Sequence, residues 1–172
     1  HEPGHEEPGW MAQSGWVPLG YLNDPEKSAR TFPVIDGQRY AVPGDRARLL
    51  ESGEMELLGR DSVSINTGGE KVFVEEVEKA VASHPAVRDV TVAGRPHERW
   101  GNEVVAVVEF VEGASATEAE LAAHVGKALA PYKVPKGWVV VDRIQRSPSG
   151  KADYRWAKKL AAEAAEAAGG AG

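Results

Sequence analysis

Residues 59–71, Gly-Arg-Asp-Ser-Val-Ser-Ile-Asn-Thr-Gly-Gly-Glu-Lys, bring two cations and a glycine pair together within one short stretch. Glycine accepts positive φ and lets a backbone approach a ligand with no Cβ in the way, and Arg60 and Lys71 stand where an anion could be met. Two further spots have side chains fit for chemistry: Pro43-Gly44-Asp45 offers a carboxylate at a turn, and Ser149-Gly150-Lys151 offers an ammonium in a polar loop. Each has a plainer reading beside it. The long stretch can be a hairpin with a glycine turn leading into a surface helix, Asp45 a turn aspartate and Lys151 a solvated loop charge.

The elements that must position these residues are legible in the periodicity. Asn23-Asp24-Pro25 is a helix-start signal before a short polar helix to Arg30, and Arg39 to Val42 reads as a strand broken by Pro43-Gly44. Residues 46–50 and 55–58, joined by a turn at Ser52-Gly53, form a hairpin too small to stand alone. From Gly59 the chain ends a strand, passes a charged elbow and reaches the Gly-Gly corner, which opens onto a helix carrying Val74, Val77, Ala80 and Val81 and stopping at Pro85. Residues 87–93 then read as a half-buried strand. Residues 104–111 are almost continuously apolar, as in a central strand covered on both faces. Thr117 and Glu120 make a capping box for a helix with Leu121, Val125, Ala128 and Leu129 on one face, ended by Pro131, and residues 138–141 supply another strand. The order helix, strand, strand, helix, strand predicts an α/β two-layer sandwich with a small three-stranded sheet, two helices and an N-terminal hairpin segment.

The ends carry less. The first 14 residues are rich in Pro, Gly and Glu; His1 and His5 beside Glu2, Glu6 and Glu7 could ligate a metal, but a solvated arm fits the composition better. Residues 156–168 are an Ala/Glu-rich stretch expected to form a solvated helix, fraying at the terminal Gly-Gly-Ala-Gly.

A length of 172 residues suits one domain, or a small domain and part of another. A net charge of -6 gives no reason to expect nucleic acid as a partner, and no apolar run is long enough for a transmembrane segment. The absence of cysteine removes disulfides, thiol nucleophiles and cysteine metal sites, which fits a cytoplasmic setting.

Taken in order, Gly20-Tyr21-Leu22-Asn23-Asp24-Pro25, Pro43-Gly44-Asp45, residues 59–71 and Ser149-Gly150-Lys151 resemble the C-terminal third of the adenylate-forming enzymes, nearest to the AMP-dependent fatty acyl-CoA synthetases. The resemblance covers residues 15–154. It implies three segments: residues 1–58 as the tail end of the N-terminal adenylating domain, 59–155 as a C-terminal mobile lid domain, and 156–172 as a helical to disordered tail. It implies ATP, Mg2+ and CoA as cofactors of the complete enzyme, a carboxylic acid as substrate, and the N-terminal adenylating domain as partner. Asp45 is implied to hold the ribose hydroxyls, for which a carboxylate has the acceptors, and Arg60 to steady the nucleotide. Lys151 is implied to bridge carboxylate and α-phosphate during adenylation. Thr67, Gly68, Gly69 and Glu70 are implied to line the CoA tunnel after rotation of the lid, with Lys71 near a phosphate. Asp61 and Ser62 take the hinge position, where the family usually has Asp or Lys two residues after the arginine; Pro43 replaces a common threonine.

No metal ligands are assigned within the chain. It also lacks a glycine- and Ser/Thr-rich phosphate loop, an aromatic-Gly-x-Thr-Glu segment and an acyl pocket, so by itself it is expected to be inactive. Two other readings are a non-catalytic α/β interaction module and an adenylating domain that loads a carrier protein.

Overall fold

The computed structural model describes residues 3–5 and 7–169 and divides the chain into two compact units, 1–62 and 63–172. His1, Glu2 and Glu6 of the suggested metal group, and the last three residues of the tail, lie outside the described residues.

In the first unit, Asp24 caps helix α1 (Pro25–Thr31) by accepting the Lys27 N–H at 2.9 Å, and Pro25 occupies its first turn. A three-stranded antiparallel sheet runs β1 (Gly9–Trp10), β4 (Asp45–Leu49), β5 (Met55–Arg60). The pairing of Gly9 and Trp10 with β4 gives a strand to a segment expected to be irregular. The strand expected over residues 39–42 is displaced. A small hairpin of β2 (Val34–Ile35) and β3 (Gln38–Arg39) takes in only Arg39 of it, and beyond Arg39 the chain turns to Gln13, with which Ala41 makes an isolated antiparallel bridge.

The second unit is built on a sheet of order β10-β9-β8. β8 (Val87–His97) and β9 (Gly101–Phe110) form a long antiparallel hairpin, and β10 (Gly137–Val141) lies parallel to β9 after a crossover through α3 (Glu118–Val125). The Thr117–Glu120 capping box opens α3, but the helix ends at Val125 and the chain reaches Pro131 through turns. The second helix of the pair, α2 (Val74–Ala82), packs on the same side. Val74, Val77 and Val81 of α2 meet Val90 and Val92 of β8, Val104, Ala106 and Val108 of β9, and Leu121 and Val125 of α3. A Lys133–Glu76 ion pair at 2.7 Å ties the segment after α3 back to α2.

The other sheet face carries Ala93 and Val107, and here the structure departs from the expected solvated tail. Helix α4 (Tyr154–Gly169) packs against β8, with Ala157 and Ala161 fully buried and Trp156 and Leu160 beside them. Small alanines let the helix backbone approach closely, so burial is achieved by side chains that look indifferent in a sequence. The three-stranded sheet is therefore covered by α2 and α3 on one face and by a third helix on the other.

Candidate functional site

In the first unit β4 and β5 bring Asp45 and Arg60 into register at their open end, and Arg60 Nε donates to Asp45 Oδ1 at 3.3 Å. The approach to Asp45 depends on Gly44, whose φ of 99° is costly for any residue with a Cβ. Gly44 also accepts the Asp61 N–H at 3.1 Å, and Asp61 pairs with Arg46 at 3.9 Å. The predicted carboxylate, arginine and one hinge residue thus share a corner of one sheet. Residues 61–63 form a single 3-10 turn, in which Ser62 is exposed, and the boundary between the units falls directly after it.

The glycine corner is a hairpin, not a direct opening onto α2. Strands β6 (Ile65–Thr67) and β7 (Glu70–Val72) pair antiparallel with Thr67 opposite Glu70, and Gly68 and Gly69 make the two-residue turn. Their φ values, 58° and 91°, are both positive, as the favoured hairpin turn requires. Lys71 lies on β7 opposite Asn66, exposed to solvent.

The turn is fastened to the connection between β8 and β9. Gly68 N–H donates to the Trp100 carbonyl at 2.9 Å, and Asn102 Nδ2 donates to the Asn66 carbonyl at 3.3 Å. A Cβ on Gly68 would lie 3.1 Å from the Trp100 ring, whereas one on Gly69 would meet nothing within 4 Å. Trp100, with the Arg99 guanidinium 4.5 Å from its ring centre, is a half-exposed member of this corner that sequence reasoning missed. The available signal was an aromatic residue before Gly101 in the turn joining two strands.

Lys151 closes a tight loop. Arg146 and Ala152 form an antiparallel bridge at its base, Ser147 N–H donates to the Lys151 carbonyl at 2.9 Å, and Lys151 N–H donates to Ser147 Oγ at 3.1 Å. Gly150 turns the chain at φ 78°. The ammonium is exposed and has no ion pair among the described residues. Arg146 binds Asp89 through two hydrogen bonds, one of them Nε to Oδ2 at 2.8 Å. Burial would raise the Asp89 pKa, but hydrogen bonds from Arg146 and the Val90 N–H hold it below the usual carboxylate range.

Glu78 of α2 accepts the Val92 N–H at 2.9 Å and the Tyr154 O–H at 3.4 Å. Its burial lifts the carboxyl to about 7, against the lowering effect of the Val92 hydrogen bond and with Glu75 pushing further upward. Tyr154 is shifted upward in turn, by its burial and by the neighbouring carboxylates.

Within the second unit the two predicted groups are held apart. The Lys151 loop is anchored at Asp89, near the start of β8, and the glycine turn at Trp100, beyond its end. Asp89 and His97 are eight steps apart along the strand, a span of roughly 26 Å at ~3.3 Å per residue. Among the described residues no group of three or more His, Cys, Asp or Glu could hold a metal ion.

The AMP-binding enzyme C-terminal domain matches residues 76–151. The chain is 67% identical to the medium-chain acyl-CoA ligase Mig of Mycobacterium avium over 92% of its own length and 29% of that protein's. It is 51% identical to a medium/long-chain-fatty-acid and 3-oxocholest-4-en-26-oate CoA ligase of Mycolicibacterium smegmatis, over 94% of this chain and 29% of that one. Among solved structures it superposes with TM-score 0.81 and 30% identity on o-succinylbenzoate CoA synthetase from Bacillus subtilis in complex with its acyl-adenylate intermediate. That match covers 92% of this chain and 31% of the synthetase. The chain thus spans under a third of the length of these relatives.

Proposed function

We propose that the chain, of which residues 76–151 match the AMP-binding enzyme C-terminal domain, is the C-terminal portion of an acyl-CoA ligase acting on a fatty or other carboxylic acid. The complete enzyme uses ATP and magnesium to form an acyl-adenylate and then transfers the acyl group to CoA. In the first half-reaction a carboxylate oxygen bonds to the α-phosphorus as pyrophosphate leaves; in the second the CoA sulfur bonds to the acyl carbon as AMP leaves. Residues 1–58, within the first compact unit, are read as the end of an adenylating domain. Trp16, Leu19 and Leu22 of that unit are strongly exposed, which suits a piece whose remaining core is supplied by preceding chain.

Asp45 takes the ribose hydroxyls, its geometry set by Gly44 and its charge balanced by Arg60, which also steadies the nucleotide. Lys151 provides a cation at the carboxylate and α-phosphate, where negative charge is redistributed in the transition state. Thr67, Gly68, Gly69 and Glu70 form the wall along which the thiol arm of CoA passes, with Lys71 near a phosphate. The site of action is the cytoplasm, where ATP and CoA are both supplied; among the described residues no helix is long and apolar enough to cross a membrane.

The observation that carries this reading is the separation of Lys151 from the glycine turn at opposite ends of β8. A rigid unit cannot offer both to one reaction centre in a single pose, so two chemical steps call for two poses. The unit boundary after Ser62 supports Asp61 and Ser62 as the pivot. The test is Lys151→Ala in the complete enzyme: adenylate formation falls by about 100-fold or more, the scale of losing one preorganised electrostatic group, while thioester formation from preformed acyl-adenylate is largely spared. Equal loss in both half-reactions would overturn the role.

A further inference from the structure

Lys151 is held only by its backbone, so the direction of its ammonium is decided by whatever fixes the base of the loop. Two legs form that base. The entry leg is Arg146, bound by Asp89 of β8; the exit leg runs through Ala152 and Asp153 to Tyr154, whose hydroxyl donates to Glu78 of α2. The same Glu78 carboxyl accepts the Val92 N–H of β8 and so joins helix, sheet and loop at one point.

Resting on the role given to Lys151 above, we infer that Glu78 is a positioning residue for adenylation: with Asp89 it latches both legs of the Lys151 loop to the sheet and α2, and its charge sets how firmly the loop is held. The groups facing Glu78 are Glu75 on its own helix, Tyr154 from α4 and Arg146 from the loop; Asp89 on β8 is engaged by Arg146. Burial opposes ionisation of Glu78, and its carboxyl titrates at about 7. Once ionised it accepts the Tyr154 hydroxyl as a charge-assisted bond and attracts Arg146, so the grip on the loop strengthens as pH rises through about 7. Glu78 as a mere backbone cap for β8 would behave differently: a glutamine still accepts the Val92 N–H, and only the charge is lost.

The experiment uses Glu78→Gln and two readouts. In the full chain, hydrogen-exchange protection of the Ser147, Gly150 and Lys151 amides, corrected for intrinsic exchange, rises several-fold as pH is raised through about 7, and Glu78→Gln keeps the low-pH value throughout. In the complete ligase the same variant loses several-fold in adenylate formation above neutral pH, and thioester formation from preformed acyl-adenylate keeps its ordinary pH profile. Tyr154→Phe shifts both readouts in the same direction. The latch is overturned if amide protection is independent of pH in the unaltered chain, if Glu78→Gln still titrates, or if the variant adenylates normally. If the latch titrates as expected but the complete protein forms no acyl-adenylate from ATP and carboxylic acids, the assigned function falls and the loop geometry stands.

Discussion

Gly68 and Gly69 are chemically identical neighbours with different reasons for lacking a side chain. Both have positive φ, but only Gly68 has an aromatic ring where its Cβ would sit. Alanine at either position costs about 1 kcal/mol in backbone strain, measured by urea unfolding of the chain. Gly68→Ala costs more than Gly69→Ala, because Trp100 must also move, and it slows the thioester step more in the complete enzyme. Equal effects would show that the ring contact is unimportant. Thr91 is the opposite case: its side chain is fully buried on the sheet face that α4 covers, and Oγ1 has no hydrogen-bond partner. Thr91→Val keeps the shape and removes an unsatisfied hydroxyl, so the second unit is expected to gain up to ~1 kcal/mol in the same measurement.

Helix α4 rests on the sheet through alanines, which makes it sensitive to bulk and charge. Ala161→Glu places a carboxylate in a site with no exposure, and its carbonyl already accepts from Arg95 Nη1 at 3.3 Å. The expected loss is about 3 kcal/mol or more, the usual scale for an unpaired charge at a packed interface. Glu163→Ala, outside the buried face, is the control and changes stability by less than ~0.5 kcal/mol. A solvated helix would tolerate both substitutions alike. The capping box of α3 gives a milder prediction: Thr117→Ala removes the acceptor for the Glu120 N–H, 3.2 Å away, and costs about 1 kcal/mol.

For the molecule as a whole, the Glu78 carboxyl predicts a pH dependence of stability. Its folded pKa, about 7, is raised above the ordinary glutamate value of 4.5. The contribution is therefore fully present below about 4.5 and is lost as pH rises through 7, by up to ~3 kcal/mol. Glu78→Gln flattens that part of the curve between about pH 5 and pH 8. The ionised carboxylate lowers the stability of the unit while tightening the Lys151 loop within the folded state, because burial opposes the charge and Tyr154 and Arg146 favour it. A second prediction concerns the proposed pivot. Proline at position 62 fixes φ; in the complete enzyme Ser62→Pro is expected to slow one half-reaction by about 10-fold or more and spare the other. Equal rates in both would move the pivot elsewhere.

The local rules acting on residue types set much of this protein before any packing is considered. The Thr117–Glu120 box, the proline at the start of α1, the valines of α2 and the apolar run of β9 each fix an element through neighbours within a turn or two. The candidate site residues were legible as motifs, because Asp45, Gly68, Gly69 and Lys151 each sit in short patterns with a local meaning. The partners of those patterns were not. The almost continuously apolar run of β9 required cover on both faces, yet nothing in a run of alanines and glutamates names α4 as the cover; only the packing of α4 on the sheet does. Trp100 under Gly68, Asp89 against Arg146 and Glu78 against Tyr154 join residues 32, 57 and 76 positions apart. Such pairs are chosen by strand register and helix packing, since a hydrogen bond or a ring contact acts over a few ångströms of space and is blind to distance along the chain.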